Sequence, residues 1–168
     1  MMWKWFNDCK TAEDGKKRYH QLSMEYHPDN GGDAETMKHI NAEFSEWWKR
    51  YKDIHASAKG TTYKAEKETS ETADMFIDII DKLSRLHGID VEICGSWLWL
   101  SGNTYTYREE LKCFGCRWSQ GKKKWYWTVE PFIRKKSRMT MEDIRRVYGS
   151  EHVNMHRNEI CSIDLRKP

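Results

Sequence analysis

His27-Pro28-Asp29 sets an imidazole and a carboxylate two residues apart with a proline between them. Proline fixes its own φ and stiffens a turn, so the two polar groups would be held at a constant separation. Such a pair suits contacts to a partner's basic and backbone groups, or acid/base chemistry. No nucleophile or oxyanion site accompanies it nearby, so no residue is read as catalytic, and the loop is either a partner contact or only a tight turn capping the helix that starts at Ala34. Cys113 with Cys116 and His152 with His156 each have a spacing that zinc could use. The 35 residues between the two pairs do not match a zinc-finger spacing, so these four are candidate ligands and no metal or cofactor is expected.

A third group combines charge with aromatic rings. Lys122, Lys123 and Lys124 run into Trp125-Tyr126-Trp127, with Trp97 and Trp99 upstream and the basic Arg134-Lys135-Lys136-Ser137-Arg138 downstream. Side chains alternate across a strand, so Trp97 and Trp99 would share one face, with Leu98 and Leu100 on the other. Trp125 and Trp127 would likewise share a face, with Lys124 and Tyr126 opposite. Three uses are open for these rings: filling a core, gripping apolar segments of a client protein, or stacking bases while lysines hold phosphates. Trp97, Trp99, Lys122, Lys123, Lys124, Trp125 and Trp127 form the candidate partner-binding set.

These groups need elements to position them. Thr11 followed by Glu13 and Asp14, with Tyr19, Leu22, Ser23 and Tyr26 at helical spacing, predicts a helix from about 12 to 25 that Pro28 terminates. Met37, Ile40, Phe44, Trp47 and Tyr51 form an apolar stripe on a second helix from about 34 to 52. The two predict an antiparallel hairpin with residues 27–33 at its tip. Residues 55–71 lack a periodic apolar pattern and predict a linker. Phe76, Ile79, Ile80, Leu83 and Leu86 mark a helix closed by Gly88. Residues 89–93 and 97–100 predict paired strands turned at Gly95-Ser96. A capping box of Thr106 and Glu109 predicts a short helix carrying Tyr107, Leu111 and Phe114, and 117–119 with 123–128 predict another hairpin. Beyond Pro131, Thr140 and Asp143 predict the start of a short helix ending at Gly149, and 150–168 carry no assignment. The expected class is α+β. Its parts are a helical hairpin over 1–54, a linker over 55–71, an aromatic-rich helix-strand-strand-helix-strand-strand domain over 72–130, and a basic extension over 131–168.

Composition narrows the function classes. Nine Trp in 168 residues and an aromatic share of 13% exclude disorder for most of the chain. No apolar run approaches the roughly 20 residues that a membrane-spanning helix needs. Five cysteines, an odd number, and an N-terminus without a basic-then-apolar layout predict a reducing, cytoplasmic setting. The net charge of +3 hides a gradient: residues 1–60 are neutral, 61–110 carry −5 and 111–168 carry +8. A chain polarised in this way predicts that its different ends meet different partners.

Tyr19, Leu22, Tyr26-His27-Pro28-Asp29, Met37, Ile40 and Phe44 together resemble the J domain, the module by which DnaJ-type co-chaperones engage a DnaK-type ATPase chaperone. Asn30-Gly31-Gly32-Asp33 with Met37-Lys38 and Ile40-Asn41 is similar to the compact J domains of phage, viral and mobile-element proteins. The resemblance covers about residues 4–52. It implies that His27, Pro28 and Asp29 contact the chaperone, with Lys16, Lys17 and Tyr19 on the outer face of the preceding helix, and that the contact stimulates ATP hydrolysis by the partner. Where members carry basic residues after Tyr19, this chain has His20 and Gln21, and Glu25 precedes the loop tyrosine. Electrostatic steering toward an acidic surface is correspondingly reduced. The expectation is a cytoplasmic co-chaperone or adaptor, no enzyme itself, that brings the chaperone to a client or target held by the second half. The alternatives are a nucleic-acid-binding accessory protein and a phage or mobile-element inhibitor of a host protein.

Overall fold

The computed structural model describes residues 3–56, 61–65, 69–129 and 139–154, the last four as backbone only. Helix α1 (Ala12–Tyr26) opens with a capping box. The Asp14 N–H donates to Thr11 Oγ1 at 3.2 Å, and the Asp14 carboxylate accepts from the Thr11 N–H at 3.2 Å. Helix α2 (Ala34–Tyr51) starts at Asp33, whose carboxylate accepts from the Thr36 N–H at 2.8 Å. The helices run as a hairpin and touch closely at Gly15, where a Cβ would lie 2.1 Å from the Trp47 ring. Only a glycine permits that approach. Between them Tyr19 and Phe44 have ring centroids 4.6 Å apart, and Phe6 packs on Phe44 and Trp47.

The stretch read as a linker carries structure. Strands β1 (Ile54–Ala56) and β2 (Thr62–Lys64) form an antiparallel ribbon. Its polar groups are tied down: Glu13 of α1 bonds His55 Nδ1 at 2.7 Å and accepts from the Ala56 N–H, and Asp53 accepts from the Thr69 N–H at 2.7 Å. Sequence periodicity misses the ribbon because the ties run to distant side chains and not along an apolar stripe.

Helix α3 (Ala73–Ser84) buries Phe76, Ile79, Ile80 and Leu83. It is followed by β3 (Ile89–Cys94), β4 (Trp97–Gly102), α4 (Arg108–Cys113), β5 (Arg117–Ser119), β6 (Lys124–Trp127), α5 (Met141–Tyr148) and β7 (Glu151–Asn154). The strands make one five-stranded antiparallel sheet in the order β5-β6-β4-β3-β7, so the chain is α+β. Strand β7 lies in a stretch the sequence left unassigned and closes the β3 edge. The short helix begins later than its expected cap. Tyr107 precedes α4 without a side-chain cap, and the Thr106 hydroxyl donates to Asn103 Oδ1 at 2.7 Å. The third helix stops at Ser84 with Arg85 as its cap, short of Gly88.

One face of the sheet, with Val91, Ile93, Leu98, Leu100 and Trp125, joins the helical hairpin and α3 in a single continuous core. Phe76 is the meeting point, its ring 5.9 Å from Tyr19, 5.7 Å from Phe44 and stacked on Trp48. The opposite face holds Cys94, Trp99 and Tyr126, against which α5 packs Met141 and Ile144. Among the described residues, no helix is long and apolar enough to cross a membrane.

A shared core implies shared unfolding. Phe76→Ala is expected to cost about 3–5 kcal/mol. Denaturant unfolding followed by tryptophan fluorescence and by far-ultraviolet circular dichroism should give one coincident transition in the native chain; two separated transitions would show that the halves do not support each other.

Candidate functional site

The hairpin tip is built by its backbone. The His27 N–H donates to Ser23 O and ends α1, and Pro28–Asn30 make one tight 3₁₀ turn. The His27 carbonyl accepts from the Asn30 and Gly32 N–H groups, each at 2.9 Å, and Pro28 O accepts from Gly31, which has φ of 82°. Gly32 passes so near Tyr26 that a Cβ would fall 2.2 Å from its carbonyl carbon. The glycine pair therefore follows from the turn itself.

Within that turn, His27 Nδ1 accepts from the Asp29 N–H at 3.2 Å, which leaves the proton on Nε2. Nε2 bonds Asp81 Oδ1 of α3 at 2.5 Å. Neither ring nitrogen is left to act as a base. His27 is buried while Pro28 and Asp29 stand at the surface, and Asp29 Oδ2 lies 3.2 Å from Arg85 Nε. Beside them Tyr19, Met37, Asn41, Asp74 and Asp78 help line a groove of about 290 Å³ between the hairpin and α3. Sequence reasoning missed Asp81 and Arg85. The signal present was the polar spacing of Asp74, Asp78, Asp81 and Arg85 along the back of the apolar stripe, which marks a helix edge without naming what it meets.

The expected basic face of α1 is reorganised. Lys16 is 1% exposed, with Nζ 2.6 Å from Glu71 Oε2 and close to the rings of Trp48 and Phe76. Tyr19 is buried too and donates its hydroxyl to Asn41 Oδ1 at 2.9 Å. Both therefore lie inside, because α3 and the sheet cover the side of α1 on which they sit; Lys17 is half-buried. The exposed stripe of α1 is Arg18, Gln21 and Glu25, of mixed charge. Burial pushes the Glu71 carboxyl above its ordinary range, against the opposing pull of Lys16. His20 is fully buried and has no partner for either nitrogen among the described residues, and desolvation pushes its pKa down to about 4.

The second candidate set does not form one surface. The register pairs Leu98 with Trp127, Leu100 with Trp125, and Trp99 with Tyr126, so Trp125 and Trp127 lie on the core side while Trp97 and Trp99 lie under α5. Trp99 is 2% exposed and Trp125 8%. Glu92 is enclosed between Lys124 and a two-point contact from Arg145. That fork holds α5 against the sheet. Lys123 is exposed, Lys122 is half-buried with its ammonium 5.6 Å from the Trp99 ring, and Trp118, outside the expected set, is 46% exposed at the β5 edge. The basic cluster at 134–138 and His156 lie outside the described residues. Cys113 is exposed, Cys116 is buried, and His152 falls on β7, where only backbone is described. Among the described residues no three His, Cys, Asp or Glu side chains gather as a metal site.

No family model, curated protein or solved structure matches the chain.

Two measurements test this electrostatic arrangement. Lys16→Met leaves Glu71 buried without its partner and should cost about 3–5 kcal/mol, whereas Lys16→Met with Glu71→Leu should recover most of that loss. An equal loss in both proteins would show that packing and not charge pairing dominates at this position. His20 binds its proton more weakly folded than unfolded, so stability should fall as pH drops from about 6.5 to about 4, by about 3 kcal/mol. In His20→Leu that portion of the acid sensitivity should vanish from urea-unfolding curves taken across the range.

Proposed function

We propose that the chain is a J-domain co-chaperone: it engages a DnaK-type ATPase through the His27-Pro28-Asp29 turn, stimulates ATP hydrolysis by that partner and brings it to a target bound elsewhere on the same chain. The observation that carries this reading is a proline-stiffened turn with Pro28 and Asp29 at the surface, at the tip of antiparallel helices of 15 and 18 residues. A turn that only capped α2 would not need the imidazole, since Asp33 already supplies the cap. With both nitrogens of His27 engaged, the turn suits recognition and not acid/base catalysis, and we read the chain as no enzyme. Free Cys9, Cys94, Cys113 and Cys116 fit the reducing cytoplasm in which such chaperones work.

For the target, the exposed groups of the β5–β6 hairpin are Trp118 on its edge strand and Lys123 in its turn. An exposed ring and an exposed ammonium on one hairpin also support a second reading, nucleic-acid binding by stacking and phosphate contact. Binding of that kind would weaken steeply with added salt, and a salt-insensitive interaction would favour a protein target.

Single-turnover ATP hydrolysis by a bacterial DnaK-type chaperone, with and without this protein, tests the main reading. The native chain should accelerate hydrolysis and Asp29→Asn should abolish the effect while leaving the fold intact. Equal acceleration by the two proteins would remove the loop from the mechanism.

A further inference from the structure

The turn that the proposed function relies on is already engaged from within. On α3, Asp81 bonds His27 Nε2 at 2.5 Å. One turn on, Arg85 Nε lies 3.2 Å from Asp29 Oδ2 and its Nη2 lies 2.9 Å from Asp81 Oδ2. The four side chains close a ring of charge and hydrogen bonds around the tip. Arg85 and Asp29 side chains are 58% and 51% exposed, so their contact sits in water, where an ion pair is weak and exchanges readily. Asp81, at 36%, is reachable as well, whereas the His27 ring is at 9%.

We infer that Asp81 and Arg85 form an internal latch that competes with the chaperone for His27 and Asp29. A guanidinium or ammonium group of the partner would take the place of Arg85 on Asp29, and Asp81 would release the imidazole. This inference rests on the J-domain reading of the turn. The exchange happens at the level of side chains. Helix α3 cannot leave as a unit, because Phe76, Ile79, Ile80 and Leu83 on its other side are buried in the common core and Glu71, just before it, is paired with Lys16. Long polar side chains on a fixed helix can rotate away without disturbing what lies beneath. The latch therefore sets how much of the turn is available, and how tightly its backbone is held, while α3 stays docked.

The test compares the full-length native chain with Arg85→Ala, with Asp81→Ala combined with Arg85→Ala, and with each of these carrying Asp29→Asn. All are measured by single-turnover ATP hydrolysis with a bacterial DnaK-type chaperone. Removing Arg85 should lower the concentration for half-maximal stimulation by about fivefold, the size of one exposed ion pair, and the double variant should lower it further. Asp29→Asn should abolish stimulation on either background. If the double variant matches the native chain while Asp29→Asn still abolishes the effect, the latch is wrong and the J-domain reading stands. If no variant stimulates or binds the chaperone, that reading fails and the latch fails with it. Hydrogen exchange on the same proteins separates release from unfolding: the amides of Asn30, Gly31 and Gly32 should exchange faster in the double variant while those of Ile79 and Ile80 keep their protection. Loss of protection at both places would overturn the latch, because the gain would then come from undocking α3.

Discussion

Phe76 packs at once against Tyr19 of α1, Phe44 and Trp48 of α2, and much of the remaining structure follows from where that ring sits. A helix with an apolar stripe must bury it, and α3 does so between the helical hairpin on one side and the sheet on the other. Once it lies there, α1 is covered on two flanks. Lys16 can no longer reach water and needs Glu71, His20 is sealed away, and the charged edge of α3 comes to rest beside the hairpin tip. The engagement of His27 and Asp29 by Asp81 and Arg85 is thus a by-product of a core contact farther back along the same helix.

The buried charges show which physical effect wins. Glu71 remains shifted upward although a lysine lies 2.6 Å away, so desolvation outweighs the attraction, and its Oε1 has no hydrogen-bond partner among the described residues. A pair of this kind contributes little to stability compared with apolar residues of the same shape. What it does is fix position: the Lys16 ammonium meets the Glu71 carboxylate, the Trp48 indole N–H reaches the Glu71 carbonyl at 3.0 Å, and together they set where α3 begins. Glu92 acts in the same way on the far side of the sheet, where Arg145 and Lys124 determine how α5 lies across the aromatic strip.

The helices of the hairpin were legible because each carries its own evidence: a cap and an apolar stripe at a period of 3.6, joined in α1 by a terminating proline. The strand pairs at 89–94 and 97–102, and at 117–119 and 124–127, were legible through alternation and their turns. Contacts between elements were not. Lys16 looks like a surface cation in any window of the sequence, and only the docking of α3 buries it. Thr106 with Glu109 satisfies the spacing of a capping box, yet Asn103 captures the threonine hydroxyl first. Strand β7 has no apolar run of its own and exists because the edge of β3 needs a partner. The tryptophans were assigned correctly to faces by alternation, but nothing in the sequence indicated that α5 would cover the second face.

These coverings bear on how a chaperone contact could work. The exposed stripe of α1 offers Arg18 against Glu25, so little net positive charge remains to steer an acidic partner. The two polar groups of the turn already have partners on α3. Under the proposed function, a contact assembled this way would be weak by itself. It would become effective where the second half of the chain held the same complex, since a tethered contact meets its partner at a high effective concentration and needs little affinity of its own. Recruitment would then be conditional on the target, and the continuous core would keep the tip and the second half in a fixed relation so that both could be occupied together.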